Sequence, residues 1–321
     1  VNSASGKVYI CLLQYSLRLA RIEKKESDRW DPEIKEVIQE RLSSNSSDQL
    51  LHLVLGWFLP QIMFLDSNWL KVNVGLVFPG THPVNYKAGA IGYFSFNNQL
   101  YSDVFKVVNK ARVFEFVLMH AREFSDDDLQ HMTAQLCSGY LHSNFDLDSE
   151  VLVTLLKQDH ERIFSQVIYF FWSPQQQLDP KFEQKIKSLW KVLYAQAISL
   201  QRHVDKQILA GCCKWINNVS SIDNEVFDLM KGSSRYIDDR DFYAVLDGLA
   251  KHITNQPEKV GLLLIEIFSI RISPIIQHDR IIKLVEALYT ANFKVVADRI
   301  CVLHANRGIE YLRPTYNKHN K

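Results

Sequence analysis

The chain has 321 residues, of which 47% are hydrophobic and 23% are charged, the balance of a folded protein with a sizeable core. Its 37 Lys and Arg residues nearly cancel its 36 Asp and Glu residues, and a net charge of +1 gives no general attraction to nucleic acid or to an anionic membrane. The 12 Gly and 9 Pro residues are too few for the turns of an all-β protein of this length, which favours helices.

The first residues carry no recognisable targeting signal. The chain opens with Val1, Asn2 and Ser3 and has no initiator Met, so we expect it to be an excised piece of a larger protein. The apolar run 8–13 is far shorter than the ~20 residues that span a bilayer. It also lacks a cationic leader and a small-residue cleavage site. We therefore predict no membrane partner.

The five cysteines predict a reducing, cytoplasmic setting. They are Cys11, Cys137, Cys212, Cys213 and Cys301. No CxxC motif occurs, which argues against a disulfide framework and against a zinc knuckle. The adjacent pair Cys212 and Cys213 is either redox-active or two core thiols, and the apolar context favours core thiols.

Three helices have clear start signals. Asp31 before Pro32 is an N-cap followed by proline at the first helical position, and Asp179 before Pro180 repeats the device. After Pro180 a six-turn apolar stripe follows: Phe182, Ile186, Leu189, Trp190, Leu193, Ala197 and Leu200. Ser125 precedes three aspartates, whose carboxylates suit the positive end of a helix. Trp57, Trp190 and Trp215 lie on apolar stripes and are expected in the core.

The segment 79–98 interrupts the helical pattern. It contains Pro79, Gly80, Pro83, Gly89 and Gly92. This composition predicts a loop of about twenty residues, and loops of that length are usually functional when ordered. Alternatively, residues 72–78 and 90–96 pair as a short β-hairpin.

A regular pattern begins near residue 223. It predicts helices over 239–254, 257–272, 278–291 and 292–306, with Gly308 as the last C-cap. These form two helix pairs whose starts lie about forty residues apart, the spacing of HEAT-like and armadillo-like arrays. We therefore predict an all-α fold, an α-solenoid of antiparallel helix pairs. Its lobes are an N-terminal one, 1–145, with the long loop, and a C-terminal repeat lobe, 146–321.

No catalytic or metal motif is complete. The patterns GxxxxGK[ST], GxSxG and HExxH are absent. Asp146, Asp148 and Glu150 alternate like the start of an EF-hand, but Val151 occupies the position that needs glycine, and Lys157 replaces the bidentate glutamate.

Three histidines also suggest a metal site at first sight. His120, His131 and His142 are eleven residues apart, yet the helix that starts at Ser125 separates the first two. Exposed or core histidines explain the pattern better. We predict no catalytic residue, no cofactor and no metal.

The stretch 215–312 resembles the C-terminal helical-repeat region of large prokaryotic antiviral proteins, the STAND-type NTPases and the related SIR2-associated defence proteins. The resemblance rests on Trp215, on Asp241 with Phe242, on Pro257 opening a hydrophobic helix, and on the run into Gly308. It implies the sensor portion, which binds a phage protein and controls self-association through domains absent from this sequence. The family's Walker motifs and effector residues are not present, so the resemblance transfers no activity.

Three functional hypotheses follow. The leading one is a protein-recognition module, with His82, Tyr86 and Lys87 in the 79–98 loop as candidate partner-binding residues. The second is an enzyme whose dispersed site is built around the same loop. The third is a structural or oligomerisation segment. No specific nucleic acid is expected as a partner.

Overall fold

A computed structural model describes residues 3–23, 28–44, 48–142, 144–173, 180–270 and 278–321, and these residues form helices and connections without any strand. The all-α prediction is confirmed. By their internal packing two compact units are distinguished, Val1–Ile163 and Phe164–Lys321. The helices of the first unit are α1 (Ala4–Ala20), α2 (Pro32–Ser43), α3 (Gln49–Trp57), α4 (Leu59–Leu65), α5 (Ser67–Val77), α6 (Pro83–Phe96), α7 (Ser102–Lys110), α8 (Val113–Met119), α9 (Asp126–Leu141) and α10 (Glu150–Leu156).

The predicted start signals of α2 and α9 are confirmed. The Asp31 carboxylate accepts hydrogen bonds from the N–H groups of Glu33 and Ile34, and Pro32 occupies the first helical position. At α9 the Ser125 hydroxyl accepts from the Asp128 N–H, and the Asp128 carboxylate accepts in return from the Ser125 N–H. Both caps satisfy backbone donors that a helix end otherwise leaves unpaired.

The prediction of a long loop or hairpin at 72–98 is wrong. Residues 72–77 belong to α5, and residues 83–96 form α6, so only a short turn separates the two helices. Pro83 opens α6 because a helix does not need the N–H of its first residue. Gly92 instead lies where α3 comes very near, Gly89 lies against Phe78, and Gly80 lies in the turn between α5 and α6 with open space around it.

Helices α3 and α6 pack with almost no space between their backbones. A Cβ atom added to Gly92 would lie 1.9 Å from the carbonyl oxygen of Leu53, and one added to Gly56 would lie 2.1 Å from that of Gly89. Only glycine permits this approach. Tyr93, fully buried beside Gly92, anchors the interior of the unit.

Buried polar side chains join α6 to α9. The Tyr93 hydroxyl donates to Gln135 Oε1 at 2.7 Å, and Gln135 Nε2 donates to the Asn97 carbonyl at 2.7 Å. His131 Nδ1 lies 2.7 Å from the Phe94 carbonyl. Each group has a partner, which is the condition for placing polar atoms in a core.

The second unit contains α11 (Glu161–Trp172), which begins at the division, then α12 (Pro180–Leu200), α13 (Asp205–Cys212), a 3-10 helix (Cys213–Asn218), α14 (Asn224–Ser233), α15 (Asp239–His252), α16 (Pro257–Ile270), α17 (His278–Thr290), α18 (Lys294–Ala305) and α19 (Arg313–His319). The predicted helices over 180–200, 239–254, 257–272, 278–291 and 292–306 all exist, with ends shifted by a few residues. The cap residue Asp179 and the predicted stop before Pro274 lie outside the described residues.

Gly308 ends α18 as predicted. It has a φ of 73°, and its N–H donates to the Ala305 carbonyl while the Ile309 N–H donates to that of His304. This is a Schellman arrangement, in which a residue at positive φ satisfies the last carbonyls of a helix.

Within each unit, helices two apart in the chain pack on one another. Such pairs include α3 with α5, α5 with α7 and α8 with α10 in the first unit, and α12 with α14, α14 with α16, α15 with α17 and α16 with α18 in the second. In each of these pairs a helix packs against the next but one along the chain, and in the first unit α3 also packs against α6. In the described part of the chain, no helix is long and apolar enough to cross a membrane.

Candidate functional site

The three residues predicted to contact a partner all lie at the start of α6, but they do different things. His82 precedes the helix and is exposed. Tyr86 is buried, and its hydroxyl donates to the Ala111 carbonyl at 2.5 Å. Burial raises the pKa of Tyr86 well above its usual range. Tyr86 is therefore a packing residue, and of the three only His82 and Lys87 reach solvent.

Lys87 joins α6 to the segment before α9. Its Nζ lies 2.9 Å from Glu123 Oε2, and that hydrogen bond lowers the pKa of the Glu123 carboxyl. Both side chains are exposed enough to be solvated, so the pair contributes little stability. A partner that binds Lys87 would have to replace its ion pair with Glu123.

The other motif residues do not converge. His120 Nδ1 lies 2.9 Å from the Phe116 carbonyl, while His131 bonds to a carbonyl of α6. Among the described residues, no three His, Cys, Asp or Glu side chains are placed to hold a metal ion. Cys212 and Cys213 are buried free thiols whose pKa values burial raises, so neither is a thiolate near neutral pH.

A hollow lies between α1, α4 and the start of α7. Its volume is about 550 Å³. The lining residues are Leu17, Pro60, Gln61, Met63, Phe64, Tyr101, Ser102, Asp103 and Val104. Its walls are largely apolar, and two aromatic rings stand beside it: Phe64 is 45% exposed and Tyr101 is 48% exposed. We call this feature the aromatic hollow.

The surroundings hold the aromatic hollow in shape. Arg29 Nη1 donates to the Phe64 carbonyl at 3.2 Å, and its guanidinium lies 4.6 Å from the centre of the Phe64 ring. The cation–π contact, worth about 0.5–1 kcal/mol at an exposed site, favours this position of the Phe64 ring.

A second aromatic pair joins the end of α3 to the end of α6, just before the chain continues from each into the segments that line the aromatic hollow. Trp57 at the end of α3 stacks on Phe96 at the end of α6, with ring centres 4.2 Å apart. Asn97 Nδ2 donates to the Trp57 carbonyl at 3.0 Å and joins the two helix ends. Trp57 is only half-buried, so the expectation that it fills the core is wrong, whereas Trp190 and Trp215 are fully buried.

One polar atom of the aromatic hollow has no partner. The Oε1 of Gln61 is buried and accepts no hydrogen bond. An unpaired buried acceptor costs about 1–3 kcal/mol, and native structures contain few of them.

The second unit has an exposed aromatic of its own. The Arg280 guanidinium carbon lies 3.6 Å from the centre of the Tyr243 ring, and Arg280 Nη1 lies 3.0 Å from Asp247 Oδ1. Tyr and Arg are enriched at protein interfaces. Here, however, the arginine already contacts Tyr243 and Asp247 of α15.

Sequence reasoning missed the aromatic hollow. Phe64 and Tyr101 are aromatic residues beside helix ends. At such positions the spacing of apolar residues does not distinguish a buried side chain from an exposed one. One signal was present: Ser102 and Asp103, which follow Tyr101, are residues typical of the start of a helix, so Tyr101 was expected at a helix end.

Comparison with family models, with curated proteins and with solved structures gave no match.

Proposed function

We propose that this chain is a non-catalytic protein-recognition module built from repeated antiparallel helix pairs, of the HEAT-like or armadillo-like kind. The observation that carries the proposal is that many side-chain hydrogen bonds between helices join residues about 36 positions apart, while others in the same units join residues 25 to 47 positions apart. In such an array each helix rests on the equivalent helix one repeat later, so contacts recur at the repeat length.

Hydrogen bonds in both units support this spacing. The separations are 36 residues for Lys87 with Glu123, 36 for Arg162 with Asp126, 36 for His252 with Ile216, 37 for Arg280 with Tyr243 and 38 for Arg307 with Ser269. These values lie near the forty residues inferred from the helix starts. Repeat proteins of this kind use the exposed faces of their helices to bind other proteins.

The partner we propose is a phage protein, with this chain as the sensor portion of a larger bacterial defence protein. The support is the resemblance over 215–312. Two of the residues that carry it, Trp215 and Phe242, pack against other rings: the Trp215 ring lies 6.2 Å from that of Trp190, and the Phe242 ring lies 6.1 Å from that of Phe268. Because these rings are buried, they account for helix packing, and the choice of partner belongs to other residues.

The enzyme alternative placed its site on the 79–98 loop. Residues 83–96 of that segment form α6, in which Tyr86 donates to the Ala111 carbonyl and Lys87 donates to Glu123. The third alternative, a structural segment, predicts stable self-association without any other protein, which light scattering over a range of chain concentrations measures.

The test of the recognition function is a binding screen with the full chain. It is co-expressed with a panel of phage structural and replication proteins, and retained candidates are purified and titrated by calorimetry. We expect saturable 1:1 binding at micromolar affinity or better. A folded chain that binds no member of the panel contradicts the proposal, as does a chain that forms only homo-oligomers.

A further inference from the structure

We propose that α19 is a detachable helix: the segment 313–320 opens as a unit from α17 and α18 while the rest of the second unit stays folded. Opening uncovers Cys301 of α18. Three observations carry the inference: the loose packing of α19, the concentration of its contacts in a few polar groups, and a firm anchor just before the helix begins.

The packing of α19 against α18 is loose. A hollow of about 380 Å³ lies between them, and both helices line it: Cys301, Val302 and Ala305 from α18, and Arg313, Tyr316 and Asn317 from α19. Closely packed helices leave few voids larger than a water molecule. Of the seven residues of α19 only Thr315 is buried, so docking of the helix removes little apolar surface from water.

The contacts that hold α19 on α17 are polar. Lys318 Nζ donates to Glu286 Oε2 at 3.0 Å, and His319 Nε2 lies 2.8 Å from the same oxygen. Because an ionised carboxylate only accepts, the His319 nitrogen is the donor. The His319 hydrogen bond and the nearby Lys318 charge lower the pKa of the Glu286 carboxyl, which keeps it ionised at neutral pH. We call Glu286, Lys318 and His319 the Glu286 cluster.

A further hydrogen bond and a ring contact reinforce the Glu286 cluster. Asn320 Nδ2 donates to Asp298 Oδ1 of α18 at 2.8 Å, and the His319 ring stacks on that of Tyr289 with ring centres 4.2 Å apart. The Tyr289 hydroxyl donates to Asp298 Oδ1 at 2.7 Å and lies 3.9 Å from Cys301 Sγ. The groups that hold α19 therefore border the thiol that its opening uncovers.

The connection before α19 is firmly held, which gives the opening a fixed pivot. Leu312 is 1% exposed, and the Tyr311 ring stacks on that of His278 with ring centres 4.1 Å apart. The Tyr311 ring also lies 5.3 Å from that of His304. Apolar and aromatic contacts thus fix the chain up to Leu312, whereas mainly polar contacts hold the residues after it.

A released α19 does not persist as a helix. Isolated helices shorter than about 12–15 residues are marginal in water, and α19 has seven residues. Opening therefore unfolds the segment 313–320, and the polar contacts are what mainly oppose it. Segments with few buried apolar contacts open at a lower free energy than the whole unit.

Thiol labelling measures this opening. The full chain is treated with iodoacetamide near neutral pH, and the labelling of each cysteine is followed by mass spectrometry of its peptides. Unfolding of the whole second unit exposes Cys212, Cys213 and Cys301 together, because all three are buried in it, whereas opening of α19 exposes Cys301 alone. We expect Cys301 to be labelled more slowly than exposed Cys11 but at least about tenfold faster than the other two.

Low concentrations of urea separate the two kinds of opening. The effect of urea scales with the surface that an opening exposes. The labelling of Cys301 should therefore change little as urea is added, whereas that of Cys212 and Cys213 should rise steeply.

Variants test whether the Glu286 cluster holds α19 closed. Glu286→Gln removes the charge that accepts both donors and should speed the labelling of Cys301 about tenfold, the effect of losing one charge-assisted hydrogen bond at a partly exposed site. His319→Ala should act in the same direction. It should add little to a chain that already carries Glu286→Gln, because the two groups act on each other. Circular dichroism confirms that each variant is folded.

The matched control is Glu310→Gln. Glu310 lines the same hollow, and its carboxylate pairs with Arg313 at 3.3 Å, three residues along the chain. This pair is exposed and does not reach α17, so its loss should change the labelling of Cys301 by less than about twofold.

Three results overturn the inference. Labelling of Cys301 at the rate and with the urea dependence of Cys212 and Cys213 means that only unfolding of the whole unit exposes it. A Cys301 rate that Glu286→Gln leaves unchanged, or that Glu310→Gln raises equally, means that the Glu286 cluster does not hold α19 closed. None of these measurements requires a partner, so they test this property separately from the recognition function.

Discussion

The contact between α3 and α6 predicts that one added methyl group destabilises the first unit. In Gly92→Ala the new Cβ lies 1.9 Å from the carbonyl oxygen of Leu53, and such contacts are essentially never shorter than 3.0 Å. The obstacle is backbone, so no side chain can turn aside. The two helices must separate by about 1 Å, which forfeits a quarter to a half of the dispersion attraction across the contact.

The magnitude follows from two opposed effects. Overpacking of a tight contact costs about 1–3 kcal/mol, and a rigid backbone obstacle puts this case at the upper end. Alanine regains about 1 kcal/mol over glycine through its higher helix propensity. We therefore expect Gly92→Ala to lower the free energy of unfolding of the first unit by about 2 kcal/mol.

The matched control is Gly75→Ala. Gly75 lies in α5 with nothing within 4 Å of an added Cβ, so the same change should stabilise by about 0.5–1 kcal/mol. Urea unfolding followed by circular dichroism at 222 nm measures both variants. The midpoints should shift in opposite directions, by about 1 M for Gly92→Ala. A Gly92→Ala midpoint at or above that of the unchanged chain refutes the close helix contact.

Three further predictions concern caps, thiols and histidines. Ser125→Ala should lower the free energy of unfolding by about 1 kcal/mol because it removes the capping box of α9. Ser149→Ala should be neutral or stabilising because the Ser149 hydroxyl is buried without a hydrogen-bond partner. Equal effects of the two changes in urea unfolding contradict this prediction. In the folded chain one thiol, exposed Cys11, should react quickly with a disulfide reagent at pH 7, and all five should react after unfolding; a second fast thiol contradicts the burial of the others. Burial lowers the pKa of four histidines, namely His52, His160, His252 and His304. Below about pH 6.5 the unfolded chain binds protons at these histidines that the folded chain does not, so the free energy of unfolding should fall as the pH drops. The fall is at most about 1.4 kcal/mol per pH unit for each histidine. Chemical unfolding at pH values from 7 to 5 measures it, and a free energy of unfolding that rises on acidification contradicts the prediction.

The sequence predicted best those features whose cause is local. Asp31 and Ser125 cap helices through hydrogen bonds to residues two or three positions away, and Gly308 ends α18 through its own backbone conformation. Such signals are complete within one short segment, so they can be read without knowing what surrounds them.

Features caused by distant residues were not predictable in this way. Gly89 and Gly92 look like loop residues because glycine weakens an isolated helix. A Cβ at Gly92 would meet the backbone of Leu53 in α3, more than thirty residues earlier, and one at Gly89 would meet the ring of Phe78. Exposure is equally non-local: Trp190 and Phe64 both occupy apolar positions, and only the packing of other helices makes the first buried and the second half exposed. The aromatic hollow depends on exactly this distinction.

The spacing of the hydrogen bonds between helices has a consequence for how the chain reaches its fold. Two side-chain hydrogen bonds of the second unit, from Trp215 to Ile168 and from Asn218 to Phe171, span 47 residues, and the others named above span fewer. Little chain must therefore be brought together before a contact forms, which favours rapid folding. When a helix emerges from the ribosome, the earlier helices against which it packs have already been synthesised, so packing can proceed during translation.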